Sequence, residues 1–128
     1  MKDYTIQAPA KEELTSEGFT NRIKVVEGVT AEQLLDYGFT NYHEPYLYYC
    51  KMVGNDISFN LSIDKQTLEI TNIDVLDEDF LQPYDYQMIL MKNPKYKMAR
   101  EVFDKVDNIL SKLQNDGIIT GYIRGMYV

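Results

Sequence analysis

Cys50 and His43 are the one thiol and the one imidazole among 128 residues, so cysteine-type nucleophilic chemistry would have to run between them. The thiolate is the nucleophile, and a neighbouring base has to create it. The two stand apart across Pro45, and Cys50 lies in the aromatic run YLYYCKMV, where a small buried thiol is common. These residues predict a packed, inert cysteine. A serine nucleophile fares no better, because no G-x-S-x-G elbow occurs. The phosphate-cradling patterns G-x-x-x-x-G-K-[ST] and G-x-G-x-x-G are missing too. One cysteine allows neither an intrachain disulfide nor a cysteine-rich zinc site. The expectation is a non-enzymatic protein with no cofactor and no metal.

The acidic stretch Asp74-Val75-Leu76-Asp77-Glu78-Asp79 invites a calcium reading, which its spacing rejects. An EF-hand loop needs oxygen ligands at its first, third and fifth positions and glycine at the sixth. From Asp74 those places bring Leu76 third and Asp79 sixth; from Asp77 they bring Leu81 fifth and Gln82 sixth. The stretch is more informative as electrostatics. Between Gln66 and Met91 there is no lysine or arginine, yet Glu69, Asp74, Asp77, Glu78, Asp79 and Asp85 fall there. An unneutralised patch steers a basic partner and sets its register. Asp74, Asp77, Glu78, Asp79, Tyr84 and Asp85 are therefore the candidate partner-binding residues. The competing reading is a solvated loop whose aspartates cap the next helix.

One basic cluster, Lys92, Lys95, Lys97 and Arg100 around Tyr96, offers the alternative of a nucleic-acid contact, with lysines on phosphates and the tyrosine stacked on a base. It equally reads as a counterweight to the acidic loop or as the solvated start of a helix. A formal net charge of −7 and a pI near 4.6 argue against the chain as a whole being drawn to a phosphate backbone. The expected macromolecular partner is neutral or basic. Eleven tyrosines and no tryptophan add contact area suited to interfaces. Tyr48 and Tyr49, adjacent in a strand, must face opposite ways, one toward the core.

These side chains need a frame, and the chain is long enough for one domain, residues 1–128, with a true core. A composition of 45% hydrophobic and 26% charged residues is that of an ordinary globular protein and argues against disorder. The absence of an apolar h-region or of a run of about 20 apolar residues predicts a cytoplasmic protein without membrane attachment.

Residues 11–21, KEELTSEGFTN, echo residues 31–41, AEQLLDYGFTN. Two copies are too few for a solenoid, and the echo reads as a duplicated helix-stop. Thr30 and Gln33 form a capping box, and Gly38 ends the helix before Phe39 anchors it. Ile23 and Val25 suggest a short strand. Residues 46–53, a Gly54-Asn55-Asp56 turn, and alternating Ile57, Phe59, Leu61 and Ile63 predict a hairpin with one buried face. A third strand follows over 67–75, with a bulge at Thr71-Asn72 where alternation breaks. A short helix over 84–91 stops at Asn93-Pro94. Ala99, Val102, Phe103, Val106, Ile109, Leu110 and Leu113 then recur at helical spacing, with Gly117 as the cap and a final strand in the tail. The fold class is α+β: an antiparallel meander of about three to five strands packed on a long C-terminal helix, with short N-terminal helices.

The run DVLDEDFLQPYDYQMILMKN, followed by a long helix and the ending DGIITGYIRGMYV, resembles small uncharacterised proteins encoded by phages and prophages of Gram-positive bacteria. The stretch Leu34-Leu35-Asp36-Tyr37-Gly38-Phe39 with the following meander is similar to a small domain attached to bacterial proteins of the frataxin-like double-wing class. The phage resemblance implies a product that acts in the host cytoplasm by binding. Among such products are anti-CRISPR inhibitors, which present acidic surfaces to nucleic-acid channels, so the resemblance implies a basic, nucleic-acid-binding host protein as partner.

Overall fold

The computed structural model describes residues 21–42 and 44–125. The first copy of the echoed motif and His43 fall almost wholly or wholly outside that range. The second copy behaves as its residues predict: α1 (Ala31–Tyr37) starts at a reciprocal Thr30–Gln33 capping box. Gly38, at φ 133°, ends it by donating to the Leu34 and Leu35 carbonyls. Phe39 then turns into the core.

The central sheet is a meander in the order β2-β3-β4-β5, formed by β2 (Tyr46–Gly54), β3 (Ile57–Asp64), β4 (Ile70–Asp77) and β5 (Gln82–Pro83). The predicted bulge is present: Ser62 pairs with Asn72 but Ile63 pairs with Ile70, leaving Thr71 extra on β4. The third strand starts later than its β-favouring residues suggest, because the Asp64 carboxylate accepts from the backbone N–H groups of Gln66 and Thr67 and Leu68 turns back at φ 60°. β5 was not expected. It is short and carries Pro83, which an edge strand tolerates.

α2 (Tyr86–Lys92) is capped by Asp85, whose side chain accepts from Met88 N–H, and ends at Asn93 as predicted. α3 (Lys97–Asn115) buries Ala99, Val102, Phe103, Val106, Leu110 and Leu113. This stripe closes over the sheet face built from Leu47, Phe59, Leu61, Ile63, Ile73 and Val75. Each fully buried aliphatic or aromatic side chain contributes about 1.5–3 kcal/mol. Gly117, at φ 79°, lets the chain leave α3, with Ile118 N–H donating to Leu113 O. The tail then supplies β6 (Ile119–Thr120), which pairs antiparallel with β1 (Lys24–Val25) in a second, two-stranded sheet.

The opposite face of the meander corrects two expectations. β3 is buried on both sides, since Ser58 and Ser62 are covered as well as the apolar residues. That second face is a polar network: Asn60 donates to Ser58 Oγ and to Asp74, Asn72 donates to the other Asp74 oxygen, and Ser62 bonds Thr71. Cys50 shares this face and is exposed, not packed. Alternation along β2 decides its position, while the apolar neighbours that suggested burial point the other way. Partial desolvation, with Glu78 and Asp74 nearby, pushes its thiol pKa up, the wrong direction for a nucleophile.

Candidate interaction surface at the tip of the sheet

Meander geometry brings the β2–β3 and β4–β5 turns to one end of the sheet. Register from Asp77↔Gln82 leaves Glu78, Asp79, Phe80 and Leu81 as the loop. The Asp77 carboxylate organises it by accepting from Asp79 N–H at 3.0 Å and Phe80 N–H at 3.3 Å, an Asx-turn. Glu78 N–H donates to the Asp56 carbonyl at 2.8 Å, stitching this loop to the neighbouring turn. The Glu78 side chain accepts from Ser58 Oγ at 2.6 Å.

Asp56, Asp77, Glu78 and Asp79 thus crowd one tip. Among the described residues, none of the ion pairs reaches these four carboxylates. Their mutual repulsion is visible at Asp79, whose carboxyl is held above its ordinary value chiefly by the charge of Asp56, then by desolvation and by Asp77. A raised carboxyl pKa means the folded state binds its proton more tightly than the unfolded one, so the repulsion costs stability as pH rises through that carboxyl's range. Asp79→Asn is expected to raise the urea midpoint at pH 7, with the gain vanishing below the aspartate titration range. Equal midpoints at both pH values would remove the repulsion from the account.

Between the acids, Phe80 and Leu81 are 74% and 76% exposed. Leu81 also adopts φ 51°, the left-handed conformation in which a side chain costs about 1–2 kcal/mol and glycine costs nothing comparable. The loop therefore displays two large apolar side chains in water, one of them at a position where glycine would suit the backbone better.

The sequence-derived residues separate. Asp77, Glu78 and Asp79 meet at the tip. Asp74 lies mid-sheet with both oxygens committed to Asn60 and Asn72, and Asp85 caps α2, the role its competing reading foresaw. Tyr84 is half-buried, its hydroxyl pKa raised by burial and then by Tyr96 and Asp77. Lys92, Lys95 and Lys97 are exposed and Arg100 is partly covered. A shallow recess of about 470 Å³ runs from Gly54 and Asn55 to Tyr96, Lys97, Met98 and Glu101, where Glu101 offsets Lys97. Asp56, Phe80 and Leu81 were missed. The signal for Asp56 was present, since consecutive hairpins put alternate turns at the same end.

Among the described residues no cluster of His, Cys, Asp and Glu could hold a metal ion, and no helix is long and apolar enough to cross a membrane. No family model matches the chain, and no curated protein matches it. The fold is similar to the crystal structure of a DUF1831 family protein from Lactobacillus plantarum, with a TM-score of 0.59 and 12% identity over 77% of this chain and 84% of that one. At that identity the likeness is one of fold.

Proposed function

We propose that this chain is a non-enzymatic interaction protein that engages a basic protein through the tip formed by Asp56, Asp77, Glu78, Asp79, Phe80 and Leu81. The observation that carries the reading is the display of Phe80 and Leu81 at the same tip as a cluster of carboxylates that no lysine or arginine among the described residues pairs with. The acids steer and orient a basic surface. The two apolar side chains supply the desolvated centre that binding energy requires. The sequence resemblance to phage-encoded products makes a nucleic-acid-binding host protein, such as a CRISPR effector inhibited by surface or DNA-mimic binding, the partner class to test first.

Two substitutions test the tip without disturbing its Asx-turn. Asp79→Lys is expected to weaken capture of basic host proteins and flatten its salt dependence. Leu81→Gly is expected to weaken capture while raising fold stability by about 1 kcal/mol. Affinity capture with wild-type and both variant baits at low and high salt, followed by mass spectrometry, reads the outcome. Equal retention on all three baits rejects the tip. The alternative, nucleic-acid contact through Lys92, Lys95, Lys97 and Arg100, predicts retardation of DNA or RNA in a low-salt gel shift that Lys95→Glu abolishes.

A further inference from the structure

The β2 border of the same sheet carries the reverse charge on the side that faces α3. β2 is an edge strand, and beyond the Thr40–Tyr48 bridge nothing among the described residues pairs with it. Tyr48 exchanges both backbone hydrogen bonds with Thr40. Alternation in an antiparallel strand then turns the backbone N–H and C=O groups of Cys50 and Met52 outward along the same border. Cys50, Lys51 and Met52 are exposed.

Against this border α3 forms a groove of about 430 Å³, lined by Tyr49, Lys51, Met52, Lys105, Asn108, Ile109 and Lys112. Tyr49 and Ile109 give the groove its apolar floor, and three lysines stand around it in a chain of net charge −7. Lys51 lies over the Tyr49 ring at 5.2 Å. Lys112 is held at one end by Asp116 at 2.7 Å and over the Tyr37 ring at 5.6 Å. Even with Asp116 counted, the side of the border that faces α3 keeps a positive excess, while Glu78 and Asp74 lie near Cys50 on the opposite face of the sheet.

We infer that this groove takes an extended acidic segment of another protein, which adds as a strand to the β2 edge between Lys51 and α3. Strand addition to a free edge gives affinity through main-chain hydrogen bonds and specificity through alternate side chains. Lys105 and Lys112 are separated along the helix by about 10 Å at 1.5 Å per residue. Two side chains on one face of a strand four residues apart span about 13 Å, within reach of flexible lysines. The fitting pattern is acid–x–apolar–x–acid, its apolar residue over Tyr49 and Ile109 and its acids near Lys105 and Lys112. The partner is acidic, so this surface is independent of the acidic tip.

A labelled peptide with glutamate–threonine–leucine–threonine–glutamate at its centre tests the groove on the full chain. Fluorescence anisotropy should give saturable binding, and amide shifts should concentrate at Cys50, Lys51 and Met52. The Lys51→Glu/Lys105→Glu variant should bind about tenfold more weakly with an unchanged melting midpoint. A peptide whose central threonines are replaced by proline keeps its charge and loses edge donors, so it should bind comparably weakly. Equal binding by the proline peptide overturns strand addition, and equal binding by the lysine variant overturns the groove. No saturation up to about 1 mM peptide also overturns it. Concentration-dependent self-association abolished by the lysine variant, without peptide binding, assigns the groove to a second copy and overturns the partner segment.

Discussion

Gly121→Ala is expected to be the most damaging single-methyl change in this chain, costing about 3–5 kcal/mol and lowering the melting midpoint by roughly ten degrees or more. Gly121 follows β6 at φ 91°, and a Cβ there would lie 2.1 Å from the Arg22 carbonyl oxygen and 3.0 Å from its carbon. Both offending atoms are backbone, so relief requires prising β1 from β6. Gly117→Ala is the control: φ is 79° but nothing lies within 4 Å of the added carbon, leaving only conformational strain of about 1–2 kcal/mol. Thermal melts of the two variants separate crowding from strain. Similar losses would mean that β6 does not approach Arg22 this closely.

The second large effect is expected at Asp107, a carboxylate buried on α3. It accepts from Tyr122 Oη at 2.5 Å and pairs with the Arg124 guanidinium, which also lies 4.0 Å from Asp104 and over the Phe103 ring. Burial and the adjoining carboxylate push the Tyr122 hydroxyl pKa far above its ordinary value, so it serves as a donor throughout the physiological range. Asp107→Ala leaves a buried hydroxyl without its acceptor and takes from Arg124 its closer carboxylate, and should cost about 3 kcal/mol. Tyr122→Phe removes one hydrogen bond, keeps the ion pair, and should cost about 1–2 kcal/mol. Denaturant titrations of both variants check the order; a costlier Tyr122→Phe would make packing, not the carboxylate, the anchor of the tail.

Local devices in this fold were legible as residues. The Thr30–Gln33 box, the Gly38 and Gly117 exits and the Asn93 stop each follow from bonds or dihedrals within a few positions of the residue concerned, and the Thr71 bulge from a break in alternation along its own strand. Features set by remote neighbours were not legible in the same way. Cys50 has apolar sequence neighbours, yet its exposure depends on which face α3 covers. Ser58 and Ser62 look like a solvent stripe until β2 and β4 flank them. Asp74 and Asp77 sit alike in one acidic run, but the first is consumed by Asn60 on the adjoining β3 and Asn72 on its own strand, while the second shapes a turn. Leu81 is ordinary in composition and informative only through its φ. The lysines of the β2 groove are spread from position 51 to 112 and join only when the long helix lies along the sheet border.

The pairing of β1 with β6 has a consequence for how the polypeptide acquires its shape. These strands lie at the two extremes of the described chain, whereas the meander and the α2–α3 pair are built from contacts between close sequence neighbours. Closing a long loop is entropically unfavourable until other contacts shorten it. Synthesis proceeds from the N-terminus, so β1 emerges before the meander and both later helices and must wait, unpaired, until the ribosome has delivered β6. The β1–β6 ladder therefore acts as a final latch, and interrupted translation leaves the central layer assembled with its clasp open.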